Sequence, residues 1–239
     1  IENIIGSQFD DTLIGNAEAN TLDGGLGNDT LKGGAGDDFF IGGTGLDTVD
    51  YSDVADKLYV DLKSLSPTQV ATGQGIDTFN SIEGVIGGLN DDTLIGTTGA
   101  NNIVGGAGND TVVGYGVTDG LGGIDTLDGG TGTDLISFGF TSDAITLDLS
   151  NTSSQATGTQ GSLIVSNIED IYGGYGNDTL TGNSSSNIIK GGFGSDTLYG
   201  SSGNDTLNGG KNSEQNRFTI TSSGTISFYV AGVLISATG

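Results

Sequence analysis

Between Gly24 and Asp50 the chain states one nonapeptide three times over: GGLGNDTLK, GGAGDDFFI, GGTGLDTVD. The form is Gly-Gly-x-Gly-x-Asp-x-U-x, with U a large apolar residue. Nine residues cannot bury an apolar face alone, so such units must stack on one another to make a core. Glycine at the first, second and fourth places is expected to let the backbone take positive φ and turn sharply. The last three residues alternate as a short strand, which would point Leu31, Phe40 and Val49 into one interior. Two units then close one coil, and residues 18 apart stack. The resulting expectation is an all-β chain: a right-handed parallel β-roll, that is, a β-helix solenoid.

The period separates this glycine content from that of a flexible linker. Glycine supplies 46 of 239 residues and proline one, but the glycines recur at fixed offsets from apolar residues. Acidic residues number 30 against 6 basic ones, for a net charge of -24. That balance argues against nucleic acid, whose phosphates need clustered Lys and Arg, and against an anionic membrane surface. Cys, His, Met and Trp are all absent, which removes the usual ligands of zinc, haem and iron–sulfur centres and the Cys–His and Ser–His nucleophilic pairs. No apolar run approaches a membrane span. The chain begins at Ile1, no amino-terminal signal segment is visible in it, and it reads as a fragment of something longer.

Along the chain the pattern waxes and wanes. A first repeat block covers 1–50, opening with Ile1-Glu2-Asn3-Ile4-Ile5-Gly6. Residues 51–86 lack the glycine pattern but carry the alternating Leu58, Val60 and Leu62, together with Pro67 in a turn-like setting. Ile82-Glu83-Gly84-Val85-Ile86-Gly87 echoes the opening and leads to a second block, 87–137, interrupted by a six-residue extension from Gly114 to Asp119. Residues 138–172 form a second unlike stretch, with Ile145, Leu147 and Leu149 in alternation. A third echo at Ile168-Glu169-Asp170-Ile171 precedes a third block, 173–210. Alternation inside the unlike stretches marks them as enlarged coils of one continuous solenoid. The recurring Glu2, Glu83 and Glu169 are expected to satisfy local backbone donors. The tail, 211–239, reads as period-2 strands with Ser-Ser-Gly and Ala-Gly turns. It suits a β-hairpin-like cap over the open last coil, or a secretion signal, and it holds Lys211 and Arg217.

The chemistry lies at the sixth place of each unit. Spacing stacks Asp11, Asp29 and Asp47 on one edge and Asn20 with Asp38 on the other. In the second block it stacks Asp92, Asp110 and Asp134, and Asn101 with Asp125; in the third, Asp178 with Asp196 and Asn187 with Asp205. Coils about 4.8 Å apart can hold an ion between two stacked turns. Calcium takes six to eight oxygens at about 2.3–2.6 Å. Carboxylates and turn carbonyls, such as those of Gly24, Gly33, Gly42, Gly105 and Gly191, would supply them. Magnesium, with its small octahedron and retained waters, fits less well. Asn20, Asn101 and Asn187 sit in units that have also lost glycines (GNAEAN, GTTGAN, GNSSSN), so half-sites built on them are expected to be weak or empty. Stacked aspartates repel without the ion, which predicts that calcium binding is the folding step.

These units resemble the RTX (repeats-in-toxin) family over roughly 1–210, and DTVDYS and SIEGVIGG resemble larger repeats found beside RTX arrays in serralysin-type proteases. The resemblance implies a parallel β-roll, several calcium ions in the turns, a secreted or cell-surface location and passage through a type I secretion apparatus. The function expected is a non-catalytic, calcium-binding structural module of a secreted or surface bacterial protein. Other copies of the chain or a cell-surface polysaccharide are compatible partners. Two alternatives stand beside it. One is the export and folding module of a secreted protease, lipase or epimerase. The other is an adhesin or ice-binding segment, suggested by the outward row Thr12, Thr30, Thr48 and its continuations Thr93–Thr111 and Thr179–Thr197; exposed strand positions favour threonine in any case.

Overall fold

In the computed structural model, the described residues are 2–63, 68–71, 74–113, 123–158, 161–210, 217–219, 225–230 and 233–238, with side chains described for 2–63, 74–113, 123–158 and 161–210. The expected turn at Pro67, the extension at Gly114–Asp119 and the charges of Lys211 and Arg217 lie outside the described residues or side chains. Among the described residues the regular structure is almost wholly strand, mostly three to six residues long and mostly parallel. Each short strand turns one central residue inward, and those residues form one core. Leu22, Leu31, Phe40, Val49, Leu94, Ile103, Val112, Ile136, Leu180 and Leu198 are all fully buried. The register repeats at 18 residues: Leu13 lies beside Leu31, Leu31 beside Val49, and Leu22 beside Phe40. The outward Thr12, Thr30 and Thr48 align in the same way, but the row then meets Gly84.

Four sheets are built on this stack, and the chain uses them two at a time. From residue 3 to 50 it alternates between a first sheet (Asn3–Ile5, Thr21–Leu26, Phe39–Thr44) and a second (Thr12–Ile14, Thr30–Lys32, Thr48–Asp50). The unlike stretch that follows visits three sheets in one circuit. Tyr59–Asp61 founds a third sheet. Gly75–Asn80 then returns to the first, pairing with Phe39–Thr44, and Gly84–Ile86 rejoins the second. There the first sheet ends, its last parallel strand covered by antiparallel Thr68–Ala71. The next coils alternate between the second and third sheets.

A second three-sided circuit follows. Thr146–Asp148 founds a fourth sheet, Ser162–Ser166 ends the parallel run of the second, and Asp170–Gly174 rejoins the third. The remaining coils alternate between the third and fourth sheets. The alternating residues of the unlike stretches are core: Leu58, Val60, Leu62, Ile145, Leu147 and Leu149 are all buried. At the far end Thr225–Val230 joins the third sheet beside Thr206–Asn208 and folds back antiparallel on Val233–Thr238. A hairpin thus closes that edge. The molecule is a parallel β-roll, as its repeat implies.

Candidate metal centre

The predicted sixth-place residues stand at turns between two sheets, directly before a strand, except Asp125, which lies within the strand Ile124–Asp128, and the predicted stacks form. The contact that makes them is a strut. The Oδ1 of one aspartate accepts the backbone N–H of its counterpart one coil earlier. Asp29 Oδ1 receives Asp11 N–H at 2.8 Å, Asp47 receives Asp29 at 2.8 Å, and Asp38 receives Asn20 at 2.8 Å. Asp110 receives Asp92, and Asp134 receives Asp110, at 2.7 and 2.8 Å. Asp125 receives Asn101, Asp196 receives Asp178 and Asp205 receives Asn187. Two of these rows end on a glutamate: Glu83 Oε2 accepts Asp47 N–H, and Glu169 Oε2 accepts Asp134 N–H. These glutamates therefore answer backbone donors, as expected.

The second carboxylate oxygen is the one available for chemistry. The Oδ2 atoms of Asp29, Asp38, Asp47, Asp110, Asp134, Asp178 and Asp205 are buried and have no hydrogen-bond partner. A buried carboxylate oxygen without a donor is costly. What surrounds it is oxygen. A β-carbon added to Gly24 would collide with Asp29 Oδ2 and the Gly42 carbonyl; one on Gly105 would meet Asp110 Oδ2 and the Gly129 carbonyl. The carbonyls named from sequence fall in these cradles: Gly24 beside Asp11, Gly33 beside Asn20, Gly42 beside Asp29, Gly105 beside Asp92 and Gly191 beside Asp178. Among the described residues no three acidic side chains converge on one point. Each cradle accordingly offers one or two carboxylates plus carbonyls, a hard, all-oxygen set that fits calcium.

The turns take two forms. Where the second residue of the unit has positive φ, Oδ2 of the sixth is left alone: Gly25 with Asp29, Gly34 with Asp38, Gly43 with Asp47, Gly106 with Asp110, Gly130 with Asp134, Gly174 with Asp178, and Ser201 (φ 63°) with Asp205. In five other units the second residue lacks positive φ, and its N–H donates to the sixth-place oxygen. Ser7 donates to Asp11 at 2.5 Å, Asn16 to Asn20 at 2.7 Å, Gly88 to Asp92 at 2.6 Å, Thr97 to Asn101 at 2.7 Å and Asn183 to Asn187 at 3.0 Å. We call these the open and the closed turn.

The first glycine of the unit corrects an expectation. Gly24, Gly33, Gly42, Gly105 and Gly191 do not have positive φ; only the second and fourth places do, as at Gly25 and Gly27. The first place needs glycine because the sixth-place carboxylate, joined at Gly24, Gly42 and Gly105 by a carbonyl of the next coil, occupies the volume where a side chain would begin.

Burial governs the electrostatics. It pushes the carboxyls of Asp38, Asp110 and Asp125 up to about 6 and that of Asp178 up to about 7. Asp47, Asp92, Asp134, Asp196 and Asp205 move the same way for the same reason, against the lowering effect of the backbone N–H each accepts. Stacking adds to the rise where carboxylates face each other, as at Asp110 between Asp92 and Asp134.

Two features escaped the sequence reading. Asp77, inside the first unlike stretch, is fully buried and continues the Asn20–Asp38 row. Its Oδ1 accepts Asp38 N–H at 3.0 Å, and its Oδ2 takes the Tyr51 hydroxyl at 2.7 Å. Burial raises its carboxyl to about 7 and raises the Tyr51 phenol further above its ordinary value. The second is a row at the fifth place running the opposite way. Asp10 Oδ1 accepts Asn28 N–H, Asn28 accepts Leu46, Asp91 accepts Asn109 and Asn109 accepts Thr133. The frequent Asn or Asp before the sixth-place aspartate was the available signal.

The model of the RTX calcium-binding nonapeptide repeat (4 copies) matches residues 1–31, 14–49, 23–58, 86–121, 117–145, 166–197 and 181–212. Besides 213–239, the matches leave out 59–85 and 146–165, where the three-sided circuits lie. No curated protein matches the chain. With well over half of its length matched and its turns built as oxygen cradles, the chain belongs to the RTX calcium-binding nonapeptide repeat family, whose repeats bind Ca2+ at several sites.

Proposed function

We propose that this chain is a non-catalytic structural module of a secreted or cell-surface bacterial protein, and that it acquires its fold as calcium binds after export. It is a calcium-binding module of a kind typical of secreted bacterial proteins; the finer role rests on the orphaned Oδ2 atoms. A row of buried carboxylates, each with one oxygen bonded and one bare, is unstable alone and is completed by a cation. We assign the ions to the cradles of Asp29, Asp38, Asp47, Asp110, Asp134, Asp178 and Asp205, with Asp11, Asp92, Asp125 and Asp196 as partners along the same rows. The carbonyls of Gly42 and Gly191 complete the cradles of Asp29 and Asp178, and those of Gly24 and Gly105 lie beside the row partners Asp11 and Asp92. The blocks 1–50, 87–137 and 173–210 are the calcium-holding units, and 51–86 and 138–172 join them. Extracellular calcium modules commonly bind at about 10⁻⁴ to 10⁻³ M, so the chain would remain unfolded in cytosol and fold outside.

Circular dichroism during a calcium titration tests the reading. The expected course is a largely disordered spectrum in excess chelator that turns β as calcium approaches millimolar levels. A fully β spectrum in chelator would sink it.

A further inference from the structure

The closed turns at 15–20, 96–101 and 182–187 do not fit the ion that the open ones do. In each the sixth residue is asparagine, and its two ends are both engaged. Asn101 Oδ1 accepts the Thr97 N–H and hydroxyl at 2.7 and 3.1 Å. Its Nδ2 lies 3.1 Å from the Thr97 carbonyl, 2.8 Å from the Gly99 carbonyl and 3.1 Å from Asp125 Oδ1. Asn187 repeats the arrangement, with Oδ1 on Asn183 N–H and Nδ2 donating to the Glu169 carbonyl at 2.6 Å and to Asn183 Oδ1 at 3.0 Å. Asn20 Oδ1 takes the Asn16 N–H at 2.7 Å, and its Nδ2 lies 3.4 Å from Asn16 Oδ1. All three asparagines are buried. Oxygens that would gather round a cation gather here round an amide.

We propose that these three turns take no calcium, and that the asparagine Nδ2 group stands in the cation's place as an uncharged internal donor. The inference rests on the calcium reading of the open turns. Three observations carry it. At Asn101 and Asn187 the amide bonds to backbone carbonyls and, at Asn101, to the next coil's carboxylate, which is the same set of oxygen types that a cradle offers an ion. The backbone is in the closed form, so a donor already fills the oxygen that is bare in open turns. The placement is regular: Asn20, Asn101 and Asn187 each follow the echo glutamates Glu2, Glu83 and Glu169 by 18 residues. Each block thus carries, in its second unit, one turn that an asparagine closes without metal.

The test counts ions. Equilibrium dialysis of the full chain with calcium compares the wild type with Asn101→Ala, Asn187→Ala and the double variant Thr97→Gly/Asn101→Asp. The double variant converts a closed turn to the open kind. The alanine variants are expected to hold as many ions as wild type, and the double variant one more. Loss of an ion by either alanine variant, with its β spectrum intact in saturating calcium, overturns the proposal. If the alanine variants fail to fold, the double variant decides, and an unchanged count overturns it. Exchange of the side-chain amide protons in the loaded wild type is an independent check. Slow exchange at Asn101 and Asn187 is expected, and free exchange of both overturns it. A wild type that binds no calcium would defeat the reading of the open turns instead, so the two failures are distinct.

Discussion

At the scale of the residue, the nonapeptide's first two glycines do different work. Gly25 is glycine for its backbone, with φ near 100°, a region that L side chains rarely enter. Gly24 is glycine for its neighbours: its backbone is ordinary, but a β-carbon would strike Asp29 Oδ2 and the Gly42 carbonyl. Gly24→Ala is therefore expected to be costly although alanine suits its φ. Overpacking of this kind costs about 1–3 kcal/mol. Thermal melts in saturating calcium should show the loss, and the calcium count should fall by the ion held there. A variant with wild-type melting temperature and count would refute this account. The glycine pattern itself was plain in the sequence, as were the stacked aspartates, because an 18-residue period needs no knowledge of the third dimension. What the pattern could not show was why the first place is glycine. That reason is a collision with a residue one coil away, and composition at a position does not distinguish a torsional demand from a spatial one.

At the scale of the element, the three-sided circuits reveal where local reading stops. Alternation at Leu58, Val60 and Leu62 and at Ile145, Leu147 and Leu149 identified strands inside the unlike stretches, and these six side chains are core. Their sheet partners were not legible. Asp77 stands 39 residues after Asp38, off the period, so nothing marked it as the continuation of that row. Where the Asn20–Asp38–Asp77 row ends, Oδ2 of the last carboxylate is met by the Tyr51 hydroxyl. Tyr51 packs edge-on to Phe40, with ring centroids 6.5 Å apart, and Phe40 stacks on Phe79 at 5.7 Å, so the hydroxyl is fixed by a ring cluster. Tyr51→Phe keeps the cluster and removes the donor. It should cost about 1–3 kcal/mol, the usual range for stranding a buried polar group, seen as a lower denaturation midpoint with the calcium count unchanged. An unaltered midpoint would show that the hydroxyl contributes nothing there.

At the scale of the whole molecule, raised carboxyl pKa values become a statement about acid and base. Asp38, Asp77, Asp110, Asp125 and Asp178 all titrate near 6 to 7 in the metal-free fold against an ordinary value of 3.8. A carboxyl with a raised folded pKa holds its proton better folded than unfolded. Its favourable contribution is full below the ordinary value and disappears as pH rises through the folded one. In chelator, therefore, the folded fraction, small near pH 8, should rise as pH is lowered to about 5, seen as a growing β signal. With calcium the dependence reverses, because protons compete for the same oxygens. Circular dichroism across this pH range, with calcium and with chelator, checks the crossing; two curves of the same sign would contradict it.

The sheets also decide how such a chain can grow. The second sheet runs unbroken from Thr12–Ile14 to Ser162–Ser166, and the third from Tyr59–Asp61 onward to the closing hairpin, so each overlaps its neighbour along the stack. Another block could be added by one more three-sided circuit, with no tether and no new face between separate bodies. Beads joined by flexible linkers lose reach to coiling, since their end-to-end distance grows only as the square root of linker length. Among the described residues the core passes from sheet to sheet as one cluster, without a break between separate bodies. A stack lengthened in this way would extend in proportion to the number of circuits added, as a rod does.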